Sequence, residues 1–228
     1  MHGTRLETEI KIDSQEFVEQ MRPALCGGRL EEAAGIVRQR WSPQQISRLL
    51  KDPCTDVRKM AALALSLVGD HSSVRPLAVS LHDADPMVTQ ISEHALWAIW
   101  FRLGKPCAVK LVKQGNRHLQ HENHICAIEK YSQAIESDCK FAEAFNQRAI
   151  AYYLCDQYEK AIDDCRQTLA LMPEHFGAMA GMGHCHAHLG RWREAQKCYR
   201  VALAIHPRLE GIEASLNQID RLMHEKPM

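Results

Sequence analysis

The sequence predicts an all-α fold, a right-handed α-solenoid of antiparallel helix pairs. Three observations lead there. The stretch from Ala142 to His175 divides into two amphipathic halves, with Phe145, Arg148, Ala149 and Tyr152 at helical spacing in the first and Tyr158, Ala161, Ile162, Cys165 and Leu169 in the second. Shifting the sequence by 34 residues in either direction reproduces that pattern. A separate period of 31 residues runs ahead of it, in which Asp52 matches Asp83, Val57 matches Val88, Ala64-Leu65 matches Ala95-Leu96 and Val68 matches Ile99.

Taken in order, residues 1–13 carry no strong pattern and read as loose. Ser14 is placed to cap a first helix by accepting from the N–H of Phe17, and Pro23 is expected to shorten or kink that helix. Gly27-Gly28 breaks it, and Arg29 to Arg40 forms a second amphipathic helix, so that 1–41 reads as a helical cap. Ser42-Pro43 opens the next helix, with proline at the favoured first position. Gly104-Lys105-Pro106 is the candidate boundary of the 42–106 segment, and three residues are too few for a flexible tether. One continuous curved solenoid is therefore expected.

Within 107–209, three units follow at 108–141, 142–175 and 176–209. Cys155-Asp156-Gln157 is long enough only for a tight turn, so the two halves of the middle unit fold back on each other. Small residues recur at Gly115, Ala149 and Gly183 and at Ala127, Ala161 and Ala195, where helix backbones approach closely. Tyr131, Cys165 and Tyr199 share a column, and the stop position reads Cys139, Pro173, Pro207. Residues 210–228 supply a last helix and tail, with Ile212, Leu216, Ile219 and Leu222-Met223 on one face to cover the end of the array.

The 34-residue period with these columns resembles the tetratricopeptide repeat. The Asp-Pro turn, Val-Arg and alanine-rich helix of 42–104 resemble short HEAT repeats, a family of stacked antiparallel helix pairs. The first resemblance implies a concave groove, lined by the first helix of each unit, that holds extended peptides or partner helices. By register the groove carries Val112, Asn116 and Gln120 from the first unit and Asn146, Ile150, Tyr153 and Leu154 from the second. Ala180, His184 and His188 come from the third. Trp97, Trp100 and Phe101 share a helix face just before the first unit, and read either as the packed joint between the two arrays or as a second interface.

One subclass of the repeat grips the C-terminal carboxylates of heat-shock chaperones with two Lys, two Asn and an Arg. Here Asn116 matches, but the other positions read Val112, Gln147, Gly177 and Gly181, and none is cationic. An unpaired carboxylate would be desolvated there at a cost of several kcal/mol, which argues against a chaperone C-terminus as partner.

Charge and chemistry narrow the function further. The 28 basic and 28 acidic residues balance, which argues against nucleic-acid or membrane partners. Nine scattered cysteines without a Cys-x-x-Cys read as reduced, buried packing residues of a cytoplasmic protein. Of the thirteen histidines, His118 and His186 fall in the column of Tyr152, and His124 in that of Tyr158 and Trp192. His184 and His188, four apart, are left as polar groove contacts rather than metal ligands. No phosphate loop, nucleophile elbow or His-Glu-x-x-His occurs, and no cofactor or catalytic residue is expected. The leading expectation is a non-enzymatic adaptor that binds a protein segment in the groove. The alternatives are a HEAT-like subunit of a bilin-lyase-type chromophore enzyme, testable by absorbance with a bilin, and a self-associating scaffold.

Overall fold

The computed structural model describes residues 12–225. Thirteen α-helices are present among the described residues. The N-terminal part holds α1 (Ser14–Cys26), α2 (Leu30–Arg40), α3 (Pro43–Leu49), α4 (Thr55–Val68), α5 (His71–Ser80) and α6 (Pro86–Arg102). Three helix pairs follow: α7 (Pro106–Gln120) with α8 (His124–Ser137), α9 (Ala142–Leu154) with α10 (Tyr158–Leu171), and α11 (Phe176–His188) with α12 (Trp192–Ile205). Helix α13 (Ile212–Glu225) packs on α12, burying Ile212 and Ile219 against Ala195, Tyr199 and Ala202.

The start of the chain departs from expectation in three ways. Asp13, not Ser14, caps α1, accepting from the N–H groups of Gln15 and Glu16 at 2.8 and 2.9 Å. The Ser14 hydroxyl instead donates to Asp52. Helix α1 also runs on through Pro23 to Cys26. Of the segment expected to be loose, Ile12 is buried and Asp13 is the cap, while 1–11 lie outside the described residues. Ser42 and Gln45 form the reciprocal cap of α3, with Pro43 behind Ser42.

The two 31-residue copies share a turn. Asp52 accepts from the N–H of Cys54 and Asp83 from that of Asp85, at 2.8 and 2.9 Å. Arg58 then ties the copies together, donating twice to the Asp83 carboxylate and once to the carbonyl of Asp52. Thr89, at the matching place in the second copy, receives a guanidinium from far along the chain, Arg208, at 2.9 Å.

The three later pairs are built alike. At each turn one N–H reaches back to a carbonyl five residues earlier at 2.9 Å: Asn123 to His118, Gln157 to Tyr152 and Arg191 to His186. The preceding residue takes a left-handed conformation in each case, at Glu122, Asp156 and Gly190. The second helices end at Ser137, Leu171 and Ile205, so Cys139 marks the same stop as the two prolines.

The helix pairs form the expected α-solenoid, but α6 does not stack on α7 as the next pair of one unbroken array would. Lys110 and Arg117 are exposed on α7, whereas the same columns in later units hold Ala144 and Ala151, then Ala178 and Cys185, all buried. A cationic end face cannot be buried under another helix pair without partners. Helix α6 instead lies across the turn edge of the units. Glu93 accepts from Nε2 of His206 at 3.1 Å beside the third, and Trp97 and Trp100 pack on His175 and Phe176 at the second. Gly104 then abuts Phe141, and the N–H of Lys105 donates to Asp138 at 2.9 Å beside the first. At about 1.5 Å per residue, its 17 residues are roughly 25 Å long, enough to cross all three.

Inside the units, glycine and tyrosine are coupled. A methyl group added at Gly115 would sit 2.7 Å from Cδ1 of Tyr131, and one at Gly183 would sit 2.7 Å from Cδ1 of Tyr199. In the middle unit the pair is Ala149 with Cys165, both buried, the smaller thiol leaving room for the larger backbone neighbour. Gly115→Ala and Gly183→Ala are therefore expected to cost about 1–3 kcal/mol by overpacking. Gly181→Ala, whose nearest neighbour is Cys165 Sγ at 3.8 Å, should instead gain up to about 1 kcal/mol of helix propensity. Urea denaturation of the three variants checks this.

Candidate functional site

The concave face of the later units is set by which columns of α7, α9 and α11 stay uncovered. The column of Val112, Asn146 and Ala180 is not one of them, for these residues are 0, 3 and 7% exposed. Val112 lies in the core with Ala127 and Tyr131, and Ala180 in that with Ala195 and Tyr199. Val112 and Ala180 sit too deep to form an open wall, and Asn146 reaches the surface only at the bottom of the cleft between α9 and α11. The columns that reach solvent are Asn116, Ile150 and His184, then Gln120, Leu154 and His188, with Lys113, Gln147 and Gly181 beside them. Ile150 and Leu154 are 40 and 48% exposed, large apolar side chains left facing the groove.

Between α9 and α11 that face deepens into a cleft of about 370 Å³. Ala149, Cys165, Gly181 and Cys185 line it with small side chains, and Ile150, Tyr153 and His184 stand beside them. Trp97 of α6 joins the lining, and its Cη2 would meet a methyl group at Gly177 at 2.7 Å. The cleft exists because Cys165 stands where the first and third units have a tyrosine. Helical columns alone do not mark Ala149, Cys165, Gly181 and Cys185 as groove residues, and Trp97, expected at a joint or a separate interface, lies in the groove lining. The signal was there, in the joint change of Gly to Ala and Tyr to Cys within one unit.

The aromatic trio is mostly used within the fold. Trp100 is 1% exposed and stacks on the His175 ring at 4.0 Å, and Phe101 packs against the core of the first unit. An exposed patch of all three is thereby ruled out, and Trp97 alone reaches the groove. Cysteines also differ from expectation: Cys54, Cys107, Cys126 and Cys139 are exposed, and burial holds for Cys165, Cys185 and Cys198. Burial pushes the Cys185 thiol up to about 12 and Cys165 further, so both stay protonated at neutral pH.

The polar groups around the cleft are held by neighbours. His175, fully buried, accepts from the N–H of Ala178 through Nδ1, which leaves Nε2–H to donate to Glu143 at 3.0 Å. Asn146 and Gln147 donate to the other oxygen of that buried carboxylate at 3.1 and 2.6 Å. Asn146 thus has its amide N–H turned to Glu143. Nδ1 of His184 meets the Tyr199 hydroxyl at 2.7 Å, and Nε2 of His188 meets that of Tyr153 at 2.8 Å. The two imidazoles serve different tyrosines, and no cluster of three or more His, Cys, Asp or Glu disposed to hold a metal occurs among the described residues. Nor is any helix there long and apolar enough to cross a membrane.

Burial lowers the pKa of His184, with a smaller contribution from His188. The unfolded chain therefore binds more protons than the folded one as pH falls through about 6.5. Stability should be full above that value and decline below it. His186, buried and shifted the same way, adds to the slope. His184→Gln should flatten the decline between pH 7 and pH 5 without removing it, as read from urea midpoints across pH.

Residues 142–175 match the family model of the tetratricopeptide repeat. The chain is 31% identical over 116 residues to small glutamine-rich tetratricopeptide repeat-containing protein 2 of Mycosarcoma maydis, covering 49% of this chain and 33% of that protein. To the small glutamine-rich tetratricopeptide repeat-containing protein of Dictyostelium discoideum it is 34% identical over 118 residues, covering 52% and 35%. The chain thus spans about a third of the length of these curated relatives. The first tetratricopeptide domain of Spaghetti (RPAP3), bound to the HSP90 peptide SRMEEVD, superposes with a TM-score of 0.51. That match covers 52% of this chain and 94% of that domain at 24% identity, a likeness of fold. The chain is an α-solenoid that carries a tetratricopeptide repeat at 142–175.

Proposed function

We propose that the chain is a non-enzymatic adaptor of the cytoplasm that holds a segment of another protein along the concave face of α7, α9 and α11. The observation that carries this reading is the cleft between α9 and α11, apolar below, with Asn146 and His184 in its lining and Ile150 and Leu154 exposed nearby. Amides and imidazoles beside an apolar floor suit an extended backbone with one buried side chain. The relatives named above support a protein partner in general.

The structural neighbour holds an HSP90 peptide, yet this groove lacks a cationic clamp for the terminal carboxylates of such a peptide. At the positions where the chaperone-binding subclass places its clamp, this chain has Val112, Asn116, Gln147, Gly177 and Gly181, and Val112 is buried. A lysine at 177 would also collide with Trp97. We therefore read the partner as something other than a chaperone C-terminus. The 42–106 part is read as HEAT-like, supported by its paired Asp52 and Asp83 turns, and its role as bracing the groove from behind through α6.

Affinity capture from native cytosol tests the reading, comparing the wild type with Asn146→Ala/Tyr153→Ala/His184→Ala. A specific protein retained by the wild type and lost by the folded triple variant is the expected result. Equal retention by both would place binding away from this face.

A further inference from the structure

We propose that the cleft of the middle unit is an aromatic-residue pocket, filled by a tyrosine of an acidic partner segment. The inference rests on the groove reading above and says what the groove selects. In the first and third units the chain supplies such a ring itself. Tyr131 and Tyr199 are buried against Gly115 and Gly183, and their hydroxyls meet Asn116 Oδ1 and His184 Nδ1 at 2.7 Å. In the middle unit the corresponding residues are Cys165, Ala149 and Ile150, and the region is open to the concave face.

The lining suits a phenol. Trp97 and Tyr153 bring two aromatic side chains to the lining, and the floor of Ala149, Cys165, Gly181 and Cys185 is apolar. Two polar atoms remain for the hydroxyl. Asn146 gives its N–H to Glu143, leaving Oδ1 as an acceptor with no partner among the described residues. The Tyr199 hydroxyl meets Nδ1 of His184 at 2.7 Å, and in the tautomer that accepts from this phenol Nε2–H is left as a donor. A phenylalanine would fill the same space but leave both unpaired.

Charge sets the rest of the segment. From Gly104 to His121 the chain has no carboxylate, and α7 exposes Lys110, Lys113 and Arg117. None of these three enters an ion pair among the described residues. Lys113 shares the open column of Gln147 and Gly181, on the path of a segment leaving the cleft. Neighbouring helices lie roughly 8–10 Å apart, and an extended chain covers about 3.3–3.6 Å per residue. An Asp or Glu some three to five residues from the tyrosine, about one and a half helix spacings away, therefore comes opposite Lys113.

The test is a library of random dodecapeptides displayed on phage, panned in parallel on the full chain and on Ala149→Gly/Cys165→Tyr. That double variant restores the glycine–tyrosine pair of the other units and fills the cleft from within. Gly181→Leu fills it from α11 and serves if the double variant does not fold. The wild type should select peptides with a tyrosine and an acidic residue three to five positions away. A synthetic copy should lose at least about 30-fold in affinity when the tyrosine becomes alanine or when the cleft is filled. With Lys113→Glu it should weaken several-fold, and less so at high salt. Peptides without an aromatic that bind filled and open clefts alike, yet are lost on Leu154→Asp, would overturn the pocket while leaving the groove reading intact. No enrichment on either protein would overturn both.

Discussion

Helix α6 crossing the turn edge of the three units is the constraint on which the rest of this structure depends. Its central contact is Trp100, almost wholly buried, stacked on His175 and tilted against Phe176. An aromatic side chain of this kind removes some 150–250 Å² from water, worth several kcal/mol at roughly 25 cal/mol per Å². The same core reaches from Phe17 and Met21 through Leu65 and Leu96 to Ala142, Met172 and Phe176. The N-terminal helices and the middle unit therefore do not have separate interiors. A solenoid usually gains stability from each unit touching its neighbour. Here one helix touches all three.

That arrangement explains a costly feature next to the groove. Glu143 is a carboxylate with no exposed surface, which is tolerable because Asn146, Gln147 and His175 all donate to it. His175 is in turn fixed by Trp100 on its face and the Ala178 N–H at Nδ1. The network thus links the α6 joint to Asn146 in the lining of the cleft. The groove is shaped from behind, by a residue chain that begins outside the repeats.

Much of this was legible in the sequence. The period of 34 gives the helix pairs, the turns and the closing helix, because each depends on contacts repeated within a unit. What failed depended on contacts between distant parts. A short linker suggests that the stack runs on from α6 into α7, whereas Lys110 and Arg117, in columns otherwise held by buried small residues, mark the first unit as an open end. The groove register slipped at Val112 and Ala180, since helical spacing gives a face but not the depth at which neighbouring helices cover it. Asp13 outcompeted Ser14 as a cap once Asp52, brought close by folding, took the serine hydroxyl. The pairing of Glu93 with His206 and of Thr89 with Arg208 spans more than a hundred residues and left no local trace.

The functional consequence is that groove and brace are one object, so ligand binding and the N-terminal helices share a single stability. Scanning calorimetry of the full chain tests that claim most directly. A shared interior predicts one transition, with calorimetric and van't Hoff enthalpies in agreement, shifted as a whole by Trp100→Ala. Two separable transitions, only one of them moved by that substitution, would contradict it.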